Sequence, residues 1–204
     1  MESALPAHLS LLGPQLWRGH QQAAIRATPT GFAALDRVLP GGGWPLGAVS
    51  EILHAQPGVG ELSLALPLLA GLTQAGRKLA FVAPPCLPYA PRLAAAGLSL
   101  EQVLVVDADD TQNALWSAEL LLRAGGCVLL WADKVETSAL RRLQLAAESQ
   151  DGCVLLYRSD RHARESTPSA LRLRVWREAD GTPCVDVLKC RGYKPAPVWL
   201  SAAA

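Results

Sequence analysis

The sequence predicts an α/β fold: a mostly parallel sheet flanked by helices and closed by a C-terminal antiparallel hairpin. Five short apolar, β-favouring runs begin at Ala48, Leu79, Val103, Cys127 and Cys153, and helical stretches separate them. Runs of that length bounded by turn residues suit strands buried on both faces. After residue 158 the pattern becomes strict alternation, with Leu171, Leu173 and Val175 set against Arg172, Arg174 and Trp176. That period of two marks a strand with one wet face; Asp180-Gly181 is a turn signal, and residues 185–190 return as its partner. Strands alternating with helices, then a hairpin, place helices on both faces of one sheet.

Taken in order, residues 1–26 form a lead-in arm. Leu9, Leu11, Leu12, Leu16 and Trp17 are apolar, but Gly13 and Pro14 interrupt any long helix. Trp17-Arg18-Gly19-His20 suits either packing on its own domain or docking on a neighbour, where Trp and Arg are favoured. Residues 28–39 read as a short helix capped by Thr28 or Thr30, with Phe32, Leu35, Val38 and Leu39 on one face. Gly41-Gly42-Gly43 ends it, and Trp44-Pro45 and Gly47 lead into the first strand at 48–53. Residues 54–60 are a Gly- and Pro-containing loop. A helix is expected over 61–75, which Pro67 must kink or start late.

The second strand, 79–83, ends in Pro84-Pro85-Cys86, a stiff loop without a carboxylate. A short helix at 89–96 closes at Gly97, and a third strand spans 103–106. Asp107, Asp109 and Asp110 are better read as caps for a helix at 111–123 than as a metal site, because carboxylates satisfy orphan amides at a helix start. Gly125 closes that helix. The fourth strand, 127–131, precedes a helix at 136–148 with Leu140, Leu143 and Leu145 expected inward and Arg141 and Arg142 outward. The fifth strand spans 153–157. Residues 158–168 form a polar loop carrying Arg158, Arg161, His162 and Arg164. This divides the chain into an arm at 1–26, one domain at 27–195 and an Ala-rich tail at 196–204, which is expected to fray.

The chain of 204 residues is half hydrophobic and 18% charged, enough for one domain with a sizeable core. A net charge of +1 argues against nucleic-acid binding by bulk electrostatics. The five cysteines form no CxxC pair. Cys127 and Cys153 each open an apolar strand, so they are read as small buried hydrophobes and the set as free thiols in a reducing compartment. No signal-peptide pattern and no apolar run of about 18 residues is present, so a cytoplasmic location with no membrane span is expected. There is no GxSxG elbow, no HExxH motif and no nucleophile spacing among Cys86, His54 and His162, which argues against a hydrolase.

The chemistry of the chain centres on residues 54–64, HAQPGVGELSL. A working phosphate-binding loop ends in Gly-Lys-Ser/Thr: backbone amides cradle the phosphates, the Lys meets the β/γ-phosphates and the hydroxyl holds Mg²⁺. Here Gly58 and Gly60 are followed by Glu61, Leu62 and Ser63. A carboxylate replaces the ammonium, Leu62 offers a cation nothing, and Ser63 lies one position late. The loop is therefore either a phosphate-binding loop that has lost nucleotide chemistry or an ordinary strand-to-helix turn. No cofactor and no metal are expected.

The flanks bear on that choice. The runs TPTGFAALD at 28–36, GGGWPLG at 41–47 and VSEI at 49–52 resemble the start of the RecA recombinase core, and their spacing to residues 54–60 agrees with it. Trp17-Arg18-Gly19, the GGGWP run, Ala83-Pro84-Pro85 and LKCRG at 188–192 are similar to one branch of RecA-like proteins, the translesion-synthesis-associated ImuA family, itself related to the cell-division inhibitor SulA. The likeness covers most of residues 15–195. It implies a RecA-like sheet. It also implies a catalytic Glu after the second strand, where this chain has Pro84-Pro85-Cys86, and an Asp ending the fourth, where Asp133 comes one or two positions late. With Glu61, that makes three departures and the expectation of a retained fold without ATPase activity.

The ImuA resemblance further implies a damage-induced mutagenic complex with RecA, an inactive polymerase homologue (ImuB) and an error-prone replicative-type polymerase. The arm suggests docking on the end of a RecA filament, to cap it or to recruit the polymerases. Residues 158–194 hold nine Lys/Arg against five Asp/Glu. They read as a charge-protected edge hairpin, or as a contact surface for an acidic partner or single-stranded DNA. The partner-binding candidates are Trp17, Arg18, Arg158, Arg161, Arg164, Arg172, Arg174, Lys189 and Arg191. Loop 158–168 corresponds roughly to a DNA-contacting loop of RecA, but it is short and lacks an aromatic for base stacking, so weak or no DNA binding is expected. The competing expectations are an active RecA-type ATPase and a SulA-like inhibitor that binds the tubulin-like division protein.

Overall fold

The structure, a computed structural model, describes residues 26–190 and 197–200. In chain order these form β1 (Ala27–Thr28), α1 (Ala33–Asp36), β2 (Trp44–Pro45), β3 (Ala48–His54), α2 (Leu66–Gln74), β4 (Leu79–Val82), α3 (Ala90–Ala95), β5 (Val103–Val106), α4 (Thr111–Arg123), β6 (Cys127–Trp131), α5 (Thr137–Ser149), β7 (Cys153–Ser159), β8 (Leu171–Arg177), β9 (Pro183–Cys190) and β10 (Pro197–Trp199). Eight strands make one sheet in the order β10-β9-β8-β3-β7-β6-β4-β5. β8 through β5 are mutually parallel, and β9 and β10 add antiparallel at one side. This is the expected α/β architecture with its terminal hairpin.

Alternation along the central strands assigns each face. Leu129, Leu155 and Phe81 point into one core with Ile52 and with Leu68 and Leu69 of α2. Val128, Leu130, Val154 and Leu156 point into the other, against Ala118 and Leu122 of α4 and Leu140, Leu143 and Ala147 of α5. Because both faces are covered, β6 reads as an unbroken apolar run rather than an alternating one.

Several elements depart from expectation for physical reasons. Residues 28–39 do not form one helix, because Thr28 pairs with Trp44 in a small antiparallel ribbon. The helical part shrinks to Ala33–Asp36. Thr30 still organises its start: its Oγ1 accepts from the Phe32 amide and donates to Asp36 Oδ1 at 2.7 Å, and its own amide donates to the same oxygen at 2.8 Å. The ribbon is so close-packed that a Cβ on Gly43 would stand 1.9 Å from the Thr28 carbonyl oxygen. The helix expected from Glu61 begins at Leu66 instead, with Pro67 in its first turn. Proline lacks an N–H and its ring clashes with the preceding turn, so it is tolerated at a helix start and not within.

Leu145 does not face inward. The buried stripe of α5 is Ala139, Leu140, Leu143, Ala146 and Ala147, and Leu145 lies about 200° around the helix from Leu143, leaving it 66% exposed. β7 continues two residues further than expected and takes Arg158 into the sheet. β8 is not an edge strand, since it pairs with β3 on one side and β9 on the other. Asp110 caps α4 as expected, its Oδ1 accepting from the Asn113 amide at 2.8 Å. Cys86, Cys127, Cys153 and Cys184 are free thiols. Among the described residues no helix is long and apolar enough to cross a membrane.

Candidate functional site

β3 ends at His54 and the chain turns through residues 55–65 before α2. That places the loop at the C-terminal end of a strand flanked by two parallel neighbours, the end at which α/β sheets present ligand sites. Gly58 and Gly60 have φ of 92° and 103°, which glycine adopts freely and other residues do not. Their amides converge on one group, the carboxylate of Glu61. The Gly58 amide donates to both oxygens, at 2.9 and 3.1 Å, and the Gly60 amide to Oε2 at 3.0 Å. Backbone amides converging in a turn form an anion-binding concavity, and hydrogen bonds to a charged acceptor are the strong ones. The anion bound here is the chain's own side chain, 8% exposed. Leu62 packs against the core and Ser63 faces solvent.

The surroundings of the loop are polar on one side and aromatic on the other. Arg177, at the end of β8, stands over Gly60: a Cβ there would meet its Nη2 at 3.1 Å. Beneath, Tyr157 stacks on Trp131 with ring centroids 4.5 Å apart, and Trp131 stacks on Phe81 at 6.0 Å. Burial, and then the Glu61 carboxylate, push the Tyr157 phenol well above its ordinary value. Tyr157 Oη and His54 Nδ1 are buried without a hydrogen-bond partner among the described residues.

On the other face of the sheet lies a buried charge cluster. Glu51 of β3 is fully buried. Register places Arg172 of β8 opposite it, and Arg158 opposite Leu53 on β7. Arg158 Nη1 donates to Glu51 Oε2 at 3.2 Å, Arg172 Nε lies 3.3 Å from the same oxygen, and Ser169 and Thr167 donate hydroxyls to Oε1. Burial pushes the Glu51 carboxyl up, but the two hydroxyls and then the two guanidiniums outweigh it and hold it below its ordinary value.

The cluster continues outward. Arg158 also donates to Glu165 at 3.1 Å and to the Asp133 carbonyl at 2.9 Å. His162 sits between Glu165 Oε1, 2.6 Å from Nδ1, and Asp133 Oδ1, 3.0 Å from Nε2. Its hydrogen bond keeps the half-exposed Glu165 carboxyl below its usual range. Asp133 also accepts from the Ser159 amide and pairs with Arg161. The loop after β7 is thereby tied to the middle of β3, at Glu51, and to Asp133 just beyond β6. Among the described residues no group of three or more His, Cys, Asp or Glu is disposed to hold a metal ion.

Of the described candidate contact residues, Arg158 and Arg172 meet, but at Glu51 inside the sheet. Arg158 and Arg172 are buried, each 3% exposed, and belong to the Glu51 cluster rather than to a surface; a guanidinium taken out of water needs a carboxylate and carbonyls around it to offset its desolvation. Arg161 is tied to Asp133, and Arg164 is exposed. Arg174 pairs with Asp186 at 2.9 Å and lies over the Trp176 ring. Lys189 Nζ donates to the Thr167 carbonyl at 2.5 Å. Trp17, Arg18 and Arg191 lie outside the described residues. Sequence reasoning passed over Glu51, although a lone carboxylate inside a fully buried strand requires a buried partner. Arg177 and Tyr157 had no such signal, because only the fold places them against the loop.

The RecA N-terminal domain family matches residues 15–155. The chain is 30% identical over 163 residues to the protein RecA of Streptomyces ambofaciens, covering 75% of this chain and 42% of that one. It is 36% identical over 130 residues to the protein RecA of Thermus thermophilus, covering 62% and 37%. The chain thus spans about two fifths of the length of the curated relatives it matches.

Proposed function

Because the chain belongs to the RecA N-terminal domain family, we propose that it is a RecA-like accessory protein that does not turn over nucleotide. In this reading it serves damage-induced mutagenic translesion synthesis and binds RecA and an ImuB-type polymerase homologue, with an error-prone replicative polymerase as a further member of the complex. It needs no cofactor and makes little or no direct contact with DNA.

The observation that carries the reading is Glu61. Its carboxylate consumes the Gly58 and Gly60 amides, the donors that a triphosphate would need, and puts a negative charge where phosphate chemistry requires a cation. Asp133, the carboxylate nearest the end of β6, is engaged by His162, Arg161 and the Ser159 amide, which leaves it poorly placed to hold a cation. The partners follow from the ImuA resemblance of residues 17–19, 41–45, 83–85 and 188–192.

The test is a pull-down of the purified protein against RecA and the polymerase homologue, with and without ATP, alongside an ATP turnover assay. Capture of either partner, unchanged by nucleotide and by Glu61→Lys, with no turnover above buffer, is the expected result. ATP turnover, or capture of the tubulin-like division protein in place of both partners, overturns the reading; the second result would favour a SulA-like inhibitor.

A further inference from the structure

The loop between β3 and α2 carries an inference that rests on the non-catalytic reading and concerns how the same site is regulated. Nothing lies within 4 Å of where a Cβ on Gly58 would stand. Space for a side chain is therefore not what calls for glycine there; the positive φ, which comes with an N–H turned to the Glu61 carboxylate, is. Two amides, with the Arg177 guanidinium over Gly60, make the loop donor-rich and cation-flanked. Those are the features of an oxyanion site, yet both amides are taken by a carboxylate in the adjoining sequence.

We propose that Glu61 is a built-in ligand: loop 55–61 is an oxyanion site filled from within, which holds its anion-bound shape without phosphate and becomes a phosphate site when the carboxylate is removed. A tethered group competes at an effective concentration of about millimolar or more, and its charge repels a second anion. The intact protein is therefore indifferent to phosphate and nucleotide, and whatever surface the loop supports is permanently in place.

The experiment compares the intact protein with Glu61→Ala and Glu61→Gln by amide hydrogen exchange over residues 55–62. Inorganic phosphate is titrated in, with chloride as the control. In the intact protein the Gly58 and Gly60 amides are protected and phosphate changes nothing. In Glu61→Ala they exchange about ten- to a hundredfold faster, and millimolar phosphate, but not chloride, restores protection and raises the melting temperature. Glu61→Gln keeps the side chain in place, so it loses protection only in part and is not rescued.

If Glu61→Ala does not fold in chloride, recovery of folded protein in phosphate supports the proposal, and failure to recover in either salt overturns it. Unprotected loop amides in the intact protein, or a folded Glu61→Ala indifferent to phosphate, also overturn it while leaving the non-catalytic reading standing. ATP turnover by the intact protein would instead remove the reading on which the proposal rests.

Discussion

Arg158 reaches Glu51 from the neighbouring strand at 3.2 Å, with the two side chains 2% and 0% exposed. A charge pair so enclosed is held by mutual compensation: each ion has left water, and only its partner and the surrounding hydrogen bonds offset that loss. With Arg172 on the same carboxylate, the arrangement ties β3, β7 and β8 together.

Removing one partner should therefore be severe. Glu51→Gln leaves two guanidiniums buried beside a neutral amide, and Arg158→Ala leaves a carboxylate short of a counter-charge. Each is expected to lower unfolding free energy by about 3–5 kcal/mol, measured by urea denaturation. A loss under about 1 kcal/mol would mean that the cluster is hydrated rather than closed.

The same cluster sets an acid limit. The folded-state Glu51 carboxyl lies below its ordinary value of 4.5, so the unfolded chain binds the proton more readily. Its stabilisation is complete above that ordinary value and is lost as pH falls through it toward the folded value. Glu165 acts in the same direction from a more exposed position. Melting temperature should be level from neutral pH to about pH 5.5 and fall steeply below about pH 4.5. Glu51→Gln should flatten that fall, and an identical acid limb in the variant would assign the effect elsewhere.

Two glycines should respond with opposite sign to the same substitution. Gly43→Ala drives a methyl into the Thr28 carbonyl, 1.9 Å from the ideal Cβ position, and must part the β1–β2 ribbon; a loss of about 3 kcal/mol or more is expected. Gly71→Ala, inside α2 with nothing within 4 Å of the added carbon, should gain about 0.5–1 kcal/mol. Thermal melts of the two variants check both signs at once.

Much of the fold could be read from local pattern. The strands at 79–82, 103–106 and 127–131 and the helix at 111–123 fall where hydrophobic runs and caps place them. The structure departs from local pattern where a distant segment outweighs it, as Trp44 draws Thr28 into a ribbon; Leu145, apolar like Leu143, is turned outward by helical geometry alone. Arg158 and Arg172 looked like loop and surface charges because their partner, Glu51, lies more than a hundred residues away in the chain.

By itself, the sequence determined the α/β class, the order of strands and helices along the chain, and the presence of a carboxylate after Gly60. Those are matters of periodicity, turn residues and residue identity, which act over a few positions. The carboxylate turns back onto amides one and three residues before it, a contact local to its own loop. Tertiary structure decided that two basic residues are buried and that Asp133 is held by His162 and Arg161, and both depend on which strands become neighbours. An ionised group takes the environment of whatever packs against it, and that is fixed only when the sheet closes.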